Sequence, residues 1–404
     1  MPVTAFSTMS ARPDLRTFLP PQNEETDPVR LFFRLLDAIK TTATEFDDFC
    51  STQPHILRDL RGHAFEVWFD ELMTRSGHDC MKVGGDDVVD RRLSGHTLQL
   101  KTPFWNGTVQ GEVVQYKMHK THGSEKYPDV LYLPLEFAEF FVGLHPDGGL
   151  IICPANVLTT RQQLNPNLPW GEYIADPVPF DWNTPWLNRY DLLGIDRTKL
   201  VFPDPPTSDI LPKISRAIGH LQIIGDLQII KAIMSEENFR VLEQNIVGSI
   251  REFHLMKFVQ KNGIELKEPT ELETRSRQKV DKIYWQEPGR RWLRIQIKGL
   301  TKGLCHGRTL GCETQGSHGR IPARLYKRTD FEILAIVIDP KVIPRETAEK
   351  LSVEWDAYNF LFVRMSDLPL HPRSSEWGEE YIKSSFSFDV GECRLNNFNL
   401  LPQF

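Results

Sequence analysis

Apolar residues recur at three- and four-residue spacing in two long stretches, DPVRLFFRLLDAIKTTATEF (27–46) and LPKISRAIGHLQIIGDLQIIKAIM (211–234). That period predicts helices with one buried stripe. Each stretch leads towards a second helical segment, RGHAFEVWFDELMTRSG (61–77) or VGSIREFHLMKFVQKNG (247–263). Both segments place a glycine four residues before a glutamate (Gly62 and Glu66, Gly248 and Glu252) and close on Gly77 or Gly263, a usual helix stop. The period then switches to two. VVDRRLSGHTLQLK (88–101) and KVDKIYWQEPGRRWLRIQIK (279–298) read as strand pairs turning at Ser94-Gly95 and at Glu287-Pro288-Gly289. A polar, glycine-containing excursion follows in each case. A further apolar strand is expected at VLYL (130–133) and at EILAIVI (332–338).

The recurrence is ordered. KYPDVLYL (126–133) matches YKRTDFEIL (326–334) loosely, and WGEYIADPVPFDW (170–182) echoes WGEEYIKSSFSFD (377–389). The offset from Glu66 to Glu252 is 186, from Asp90 to Asp281 191, from Lys101 to Lys298 197, and from Trp170 to Trp377 207. An offset that only grows indicates one ancestral unit, duplicated, with insertions in the second copy. The expected fold class is α/β, two tandem units each with a mixed sheet flanked by helices. Their expected limits are 26–205 and 206–404, joined near the Pro-rich VFPDPPTSD (201–209) and preceded by a flexible leader, 1–25. The leader lacks the apolar core of a secretory signal. Its Ser, Thr, Arg12 and Arg16 leave organellar targeting as the lesser alternative, because Asp14 and four prolines interrupt an amphipathic helix.

Each copy presents a helix carboxylate, an aspartate at a strand start, and Gln-x-Lys at the end of the neighbouring strand. These are Glu66, Asp90, Gln99 and Lys101 in the first copy, and Glu252, Asp281, Gln296 and Lys298 in the second. Residues i and i+2 of a strand share a face, so each glutamine and lysine point together, with the aspartate brought alongside by the hairpin. Oxygen ligands beside an ammonium suit Mg²⁺, which takes one or two protein carboxylates and completes its shell with water and substrate phosphate. Such a cation polarises a phosphodiester and lowers the pKa of bound water. The lysines would orient or deprotonate the attacking water, or stabilise the charged transition state. Asp86 and Asp87 compete for the role of Asp90, but only Asp90 shares the Val-Asp-basic context of the second copy.

At these residues the chain resembles the PD-(D/E)XK nuclease superfamily, the fold of most restriction endonucleases. VVD…QLK and KVD…QIK, each with its preceding helix glutamate, carry the resemblance. Glutamine stands where the family more often has Glu or Asp, a variant that also occurs among active members, including Mrr-like enzymes. It leaves Asp90 and Asp281 as the main anionic ligands. The resemblance implies two restriction-endonuclease-like units forming an intramolecular pseudo-dimer. It implies Mg²⁺ at two sites of one or two ions each, held by Asp90 with Gln99 and by Asp281 with Gln296. The implied activity is sequence-specific cleavage of double-stranded DNA in the manner of a Type II restriction endonuclease, by a monomer of a bacterial cytoplasm with a cognate DNA methyltransferase. A structure-directed repair or recombination nuclease is one alternative. A catalytically inactive DNA-binding protein of the same fold is another.

The net charge of -6 excludes a uniformly basic nucleic-acid coat but not a local basic surface. The excursion after Lys298 carries Lys302, Arg308, Arg320, Arg324 and Lys327 with Glu313 as the lone carboxylate, fitting phosphate and guanine contacts. The first copy has a milder set in Lys117, His119, Lys120, His122 and Lys126, and His122 and His318 occupy matching His-Gly pairs. Phe104-Trp105 could stack on a base, although core packing suits them better. Cys305, His306, Cys312 and His318 lie close together but lack a familiar zinc spacing. Six cysteines without paired short spacings fit a reducing compartment. With 40% hydrophobic and 25% charged residues, and no apolar run of spanning length, the chain is expected to be globular and free of membrane helices.

Overall fold

The computed structural model describes residues 27–83, 89–104, 113–119, 131–203, 210–218, 223–269, 280–286, 291–316, 322 and 324–397. In chain order, helices α1 (Pro28–Ala38), α2 (Ala43–Cys50) and α3 (Pro54–Arg75) precede β1 (Cys80–Lys82), β2 (Arg91–Leu93), β3 (His96–Lys101) and β4 (Val113–Tyr116). Then come β5 (Phe140–Leu144), β6 (Leu150–Pro154), α4 (Arg161–Leu164) and β7 (Val178–Asp181). Helices α5 (Pro212–Ile218), α6 (Asp226–Met234) and α7 (Glu236–Lys261) lead to β8 (Lys282–Gln286), β9 (Arg291–Gly299) and β10 (Thr309–Glu313). β11 (Ile333–Ile338), α8 (Arg345–Leu351), β12 (Asn359–Arg364) and β13 (Ser385–Asp389) complete the chain. The protein is mixed α/β. Among the described residues no helix is long and apolar enough to cross a membrane.

One compact unit is Cys50–Leu242; the other joins Glu243–Phe404 with the N-terminal segment through Phe49. This departs from the sequential halves 26–205 and 206–404. The leading helices have exchanged allegiance. α6 packs on α3, where Gln228 Nε2 donates to Glu71 Oε2 at 3.1 Å and Lys231 pairs with the same carboxylate. α1 and α2 belong with α7, where the Phe49 and Phe253 rings lie 5.3 Å apart and Lys257 Nζ meets Glu45 Oε1 at 2.5 Å. An amphipathic helix settles where its stripe finds apolar partners, and sequence adjacency does not dictate which partner that is.

In the Cys50–Leu242 unit the sheet runs β1-β2-β3-β5-β6, with β3 and β5 parallel and the other neighbours antiparallel. In the other unit it runs β8-β9-β11-β12, with β9 and β11 parallel and the flanking pairs antiparallel. The order and sense of β2-β3-β5-β6 and β8-β9-β11-β12 are therefore the same. A two-stranded ribbon accompanies each sheet, β4 with β7 and β10 with β13. α3 buries Ile56, Leu60, Ala64, Phe65, Trp68, Phe69, Leu72 and Met73, a helical stripe. It stops as expected at Gly77, which takes φ 78°, and α7 stops at Gly263 with φ 76°.

The β2–β3 turn sits at Ser94-Gly95, both at positive φ, as a tight hairpin turn demands. Residues 287–290, the corresponding turn of the second copy, lie outside the described residues, as do 204–209 of the Pro-rich stretch and the leader. Of the strand expected at VLYL, the described residues 131–133 form none. Leu131 makes a lone bridge to His119, and the strand parallel to β3 is instead Phe140–Leu144. Pro134 ends VLYL after four residues, whereas FFVGL is uninterrupted and offers every amide to the ladder. The register Gln99↔Phe141 matches Gln296↔Leu334, so the loose alignment of 126–133 with 326–334 was out of step.

Candidate active site: two matched Asp–Gln clasps

The parallel strand pair sets the geometry. In the second unit Ile295, Ile297, Ile333, Ala335 and Val337 join the core beneath α7, with Leu255 and Val259. Alternation therefore turns Gln296 and Lys298 to the opposite face, whose core contains Leu334, Ile336 and Tyr326. The first unit repeats this, with Phe141 beside Gln99 in register and packed with Tyr116.

Each glutamine is clasped to its aspartate. Gln99 Nε2 donates to Asp90 Oδ2 at 2.7 Å, and the Leu100 amide donates to the same oxygen at 2.7 Å. Gln296 Nε2 and the Ile297 amide meet Asp281 Oδ2 at 2.6 and 2.7 Å. The expected grouping of aspartate, glutamine and strand-end lysine is present twice. The carboxylate acceptor holds each NH₂ group towards the aspartate and so fixes which way the amide is turned. Gln99 is 4% exposed and Gln296 5%, and in both the Oε1 atom is buried without a hydrogen-bond partner. An unsatisfied buried acceptor costs about 1–3 kcal/mol, and here it recurs at equivalent positions.

The helix glutamates reach this group through the residue after each aspartate. Arg91, paired in register with Leu98, points under α3, where it is 1% exposed. Its guanidinium bonds Asp70 at 2.6 and 2.9 Å and Glu66 Oε2 at 3.2 Å. Lys82 Nζ lies 3.6 Å from Glu66 and His63 Nδ1 3.7 Å. In the second unit Lys282 occupies the place of Arg91, 3.3 Å from Glu252 and paired also with Glu268. Sequence reading noted a basic residue after each aspartate but not that it is buried against the helix carboxylate.

The electrostatics of the two sites differ. Burial works to raise Glu66, yet His63, Arg91 and Lys82 outweigh it and hold the carboxyl down to about 2. Burial pushes Asp90 up to about 6, opposed by Lys101 and reinforced by Glu66. In the second unit burial, with Asp281 adding to it, lifts Glu252 to about 7 against the pull of Lys282. Asp281 is raised by burial too, against the Ile297 amide and Lys298. Burial lowers Lys298, which Asp281 opposes. Its Nζ donates to the Gln315 carbonyl at 3.4 Å and sits 5.3 Å from the centre of the Tyr326 ring.

Two tyrosines escaped the sequence reading. The backbone oxygens of Tyr132 and Tyr326 accept from the amides of Ile174 and Ile382, both at 2.9 Å, so they are counterparts. Burial and Asp90 push the Tyr132 hydroxyl up to about 12, and burial and Asp281 raise that of Tyr326. Each ring therefore lies in the field of its site's aspartate. The Tyr-to-Tyr offset, 194, is smaller than the 197 of the lysines that precede them in the chain, so the offset does not grow at every step and the pair lies off the ordered series.

The described side chains among the expected DNA contacts each meet a group of the protein itself. Lys117 Nζ lies 4.3 Å over the Phe104 ring, Arg308 pairs with Asp389 at 3.1 Å, and Arg324 Nε donates to the Gly316 carbonyl at 2.6 Å. Lys120, Lys126, His122, His318 and Arg320 lie outside the described residues, as do Asp86, Asp87, Trp105 and the Lys302 side chain. His119 Nδ1 is 2.6 Å from Asp176 Oδ2. Cys305 Sγ contacts the Thr301 carbonyl at 3.3 Å. Among the described residues no three His, Cys, Asp or Glu side chains gather as a metal cluster.

A hard cation at either clasp would thus rely on one aspartate and one amide oxygen, with water and substrate filling the shell, as Mg²⁺ accepts. The unsatisfied Gln99 and Gln296 oxygens fit that role. Comparisons with protein families, with curated proteins and with solved structures find no match.

Proposed function

We propose that the protein is a Mg²⁺-dependent DNA endonuclease resembling the PD-(D/E)XK enzymes, with one active site in each unit and a pseudo-dimeric use of the two. The observation that carries this reading is the doubled clasp, with the same Asp–Gln–amide bonds, orphaned amide oxygen and strand order in both units. Asp90 with Gln99, and Asp281 with Gln296, would hold the cation, which when bound polarises the phosphodiester and lowers the pKa of water. Lys101 and Lys298, two residues beyond each glutamine on the same face, would orient the attacking water and stabilise charge on the phosphate. Arg91 and Lys282 hold Glu66 and Glu252 against the strand start and so fix the approach of each aspartate.

The reading extends to duplex DNA as substrate, to sequence-specific cutting in the Type II manner, and to a methyltransferase that protects the same sequence. Unmethylated phage DNA incubated with Mg²⁺ or with EDTA tests it. Discrete Mg²⁺-dependent fragments are expected, and they should vanish when Asp90 and Asp281 are both replaced by Ala. Preference for branched or nicked DNA over plain duplex would favour a repair or recombination nuclease. A DNA-binding protein without catalysis draws on a separate observation, the engagement of Glu66 by Arg91, Lys82 and His63. Tight DNA binding with no cleavage under any divalent cation would select it.

A further inference from the structure

The two clasps share their bonds but not their surroundings. Around Asp90, the carboxylates of Glu66 and Asp70 are met by Arg91 and Lys82, with His63 close by and Lys101 acting on the aspartate. Among the described residues positive groups match negative ones. Around Asp281, among the described residues, Lys282 is divided between Glu252 and Glu268, and Lys298 feels both Asp281 and Glu313. Glu268 is 75% exposed and largely screened by water, whereas Glu252, 32% exposed, feels the charge of Asp281 itself. Among the described residues carboxylates outnumber cations there.

We propose that the clasps load divalent cation in order, the one built on Asp281 and Gln296 before the one built on Asp90 and Gln99. The proposal rests on the metal-dependent reading above and adds an inequality to it. A buried, unpartnered amide oxygen marks each clasp as a place for a cation, Gln99 and Gln296 being 4% and 5% exposed. The surrounding charge decides which fills first. One uncompensated carboxylate within several ångströms, at the effective dielectric of a protein surface, separates two affinities by about tenfold or more. Between roughly tenfold limits of Mg²⁺ the protein would carry a single loaded site. In that range it would cut one strand and leave the other.

The test is calorimetric titration of Mn²⁺ into the full chain without DNA, so that binding and not cleavage is read. Two sites about tenfold or more apart in affinity are expected. Asp281→Asn should remove the tighter, and Asp90→Asn the weaker. Lys82→Gln, at an exposed position on the edge strand β1, should tighten the weaker site severalfold and leave the tighter alone. That variant carries the test should an aspartate variant fail to fold, as checked by circular dichroism. Two sites of equal affinity, or loss of the tighter site with Asp90→Asn, would overturn the ordering while leaving the nuclease reading intact. No saturable Mn²⁺ binding would overturn both.

Discussion

Replacing Arg91 by Met isolates the ion-pair network that ties α3 to β2. The guanidinium is 1% exposed and bonds Asp70 through two nitrogens and Glu66 through one. Removing one partner of a buried pair typically costs ~3–5 kcal/mol. Asp70 and Glu66 keep 36% and 21% side-chain exposure, so water recovers part of that loss and about 2–3 kcal/mol is expected. Urea denaturation reads this as a midpoint lowered by about 1 M, given slopes of ~1–3 kcal/mol/M. Arg91→Lys should lose only about 1 kcal/mol, because Lys282 does the same work in the second unit, though without the two-pronged hold on Asp70.

The acid dependence supplies a second reading of the same network. Glu66, held down to about 2, adds stability that is complete above its unfolded pKa of roughly 4.3. That stability is lost as pH falls from there towards 2. Arg91→Met removes one of the cations responsible, so the gap between wild type and variant should narrow from pH 7 to pH 3.5. A variant as stable as wild type at pH 7, or a gap that stays constant into acid, would refute the reasoning.

Lys101→Ala should slow one strand's cleavage by ~10²–10³, so that supercoiled plasmid accumulates as the nicked circle. Lys298→Ala should do the same on the opposite strand, and strand-resolved product sequencing checks both. Burial lowers His254 to about 4, so its stability contribution is complete above an unfolded pKa of about 6.5 and is lost as pH falls towards 4. His254→Gln should flatten the fall in thermal midpoint between pH 7 and pH 5. A Cβ on Gly299 would lie 2.1 Å from Arg251 Nη1, whose Nε donates to Asp339 at 2.9 Å. Gly299→Ala should therefore cost about 1–2 kcal/mol by turning that guanidinium aside, seen as a lowered urea midpoint.

What the residues settle alone is local. Glycine at the end of a helical stripe stops α3 and α7, and Ser94-Gly95 reverses β2 into β3, because these depend on backbone sterics within a few residues. The Gln-x-Lys spacing puts both side chains on one face through the two-residue period of a strand, and the ordered recurrence of Asp…Gln-x-Lys located both clasps. Pairings over long separations were decided elsewhere. Whether VLYL or FFVGL would lie beside β3 depended on which segment could complete the ladder and bury Phe141 against Tyr116 and Phe180. Whether α1 and α2 would stay with the helix they precede depended on where Phe49 found a partner, and it found Phe253. Arg91 and Lys282 look alike as basic residues after an aspartate. Only packing showed that one answers two carboxylates alongside Lys82 and His63, while the other is shared between Glu252 and Glu268. Charge balance in a buried site depends on every group the fold brings near, and most of those groups are distant in the chain.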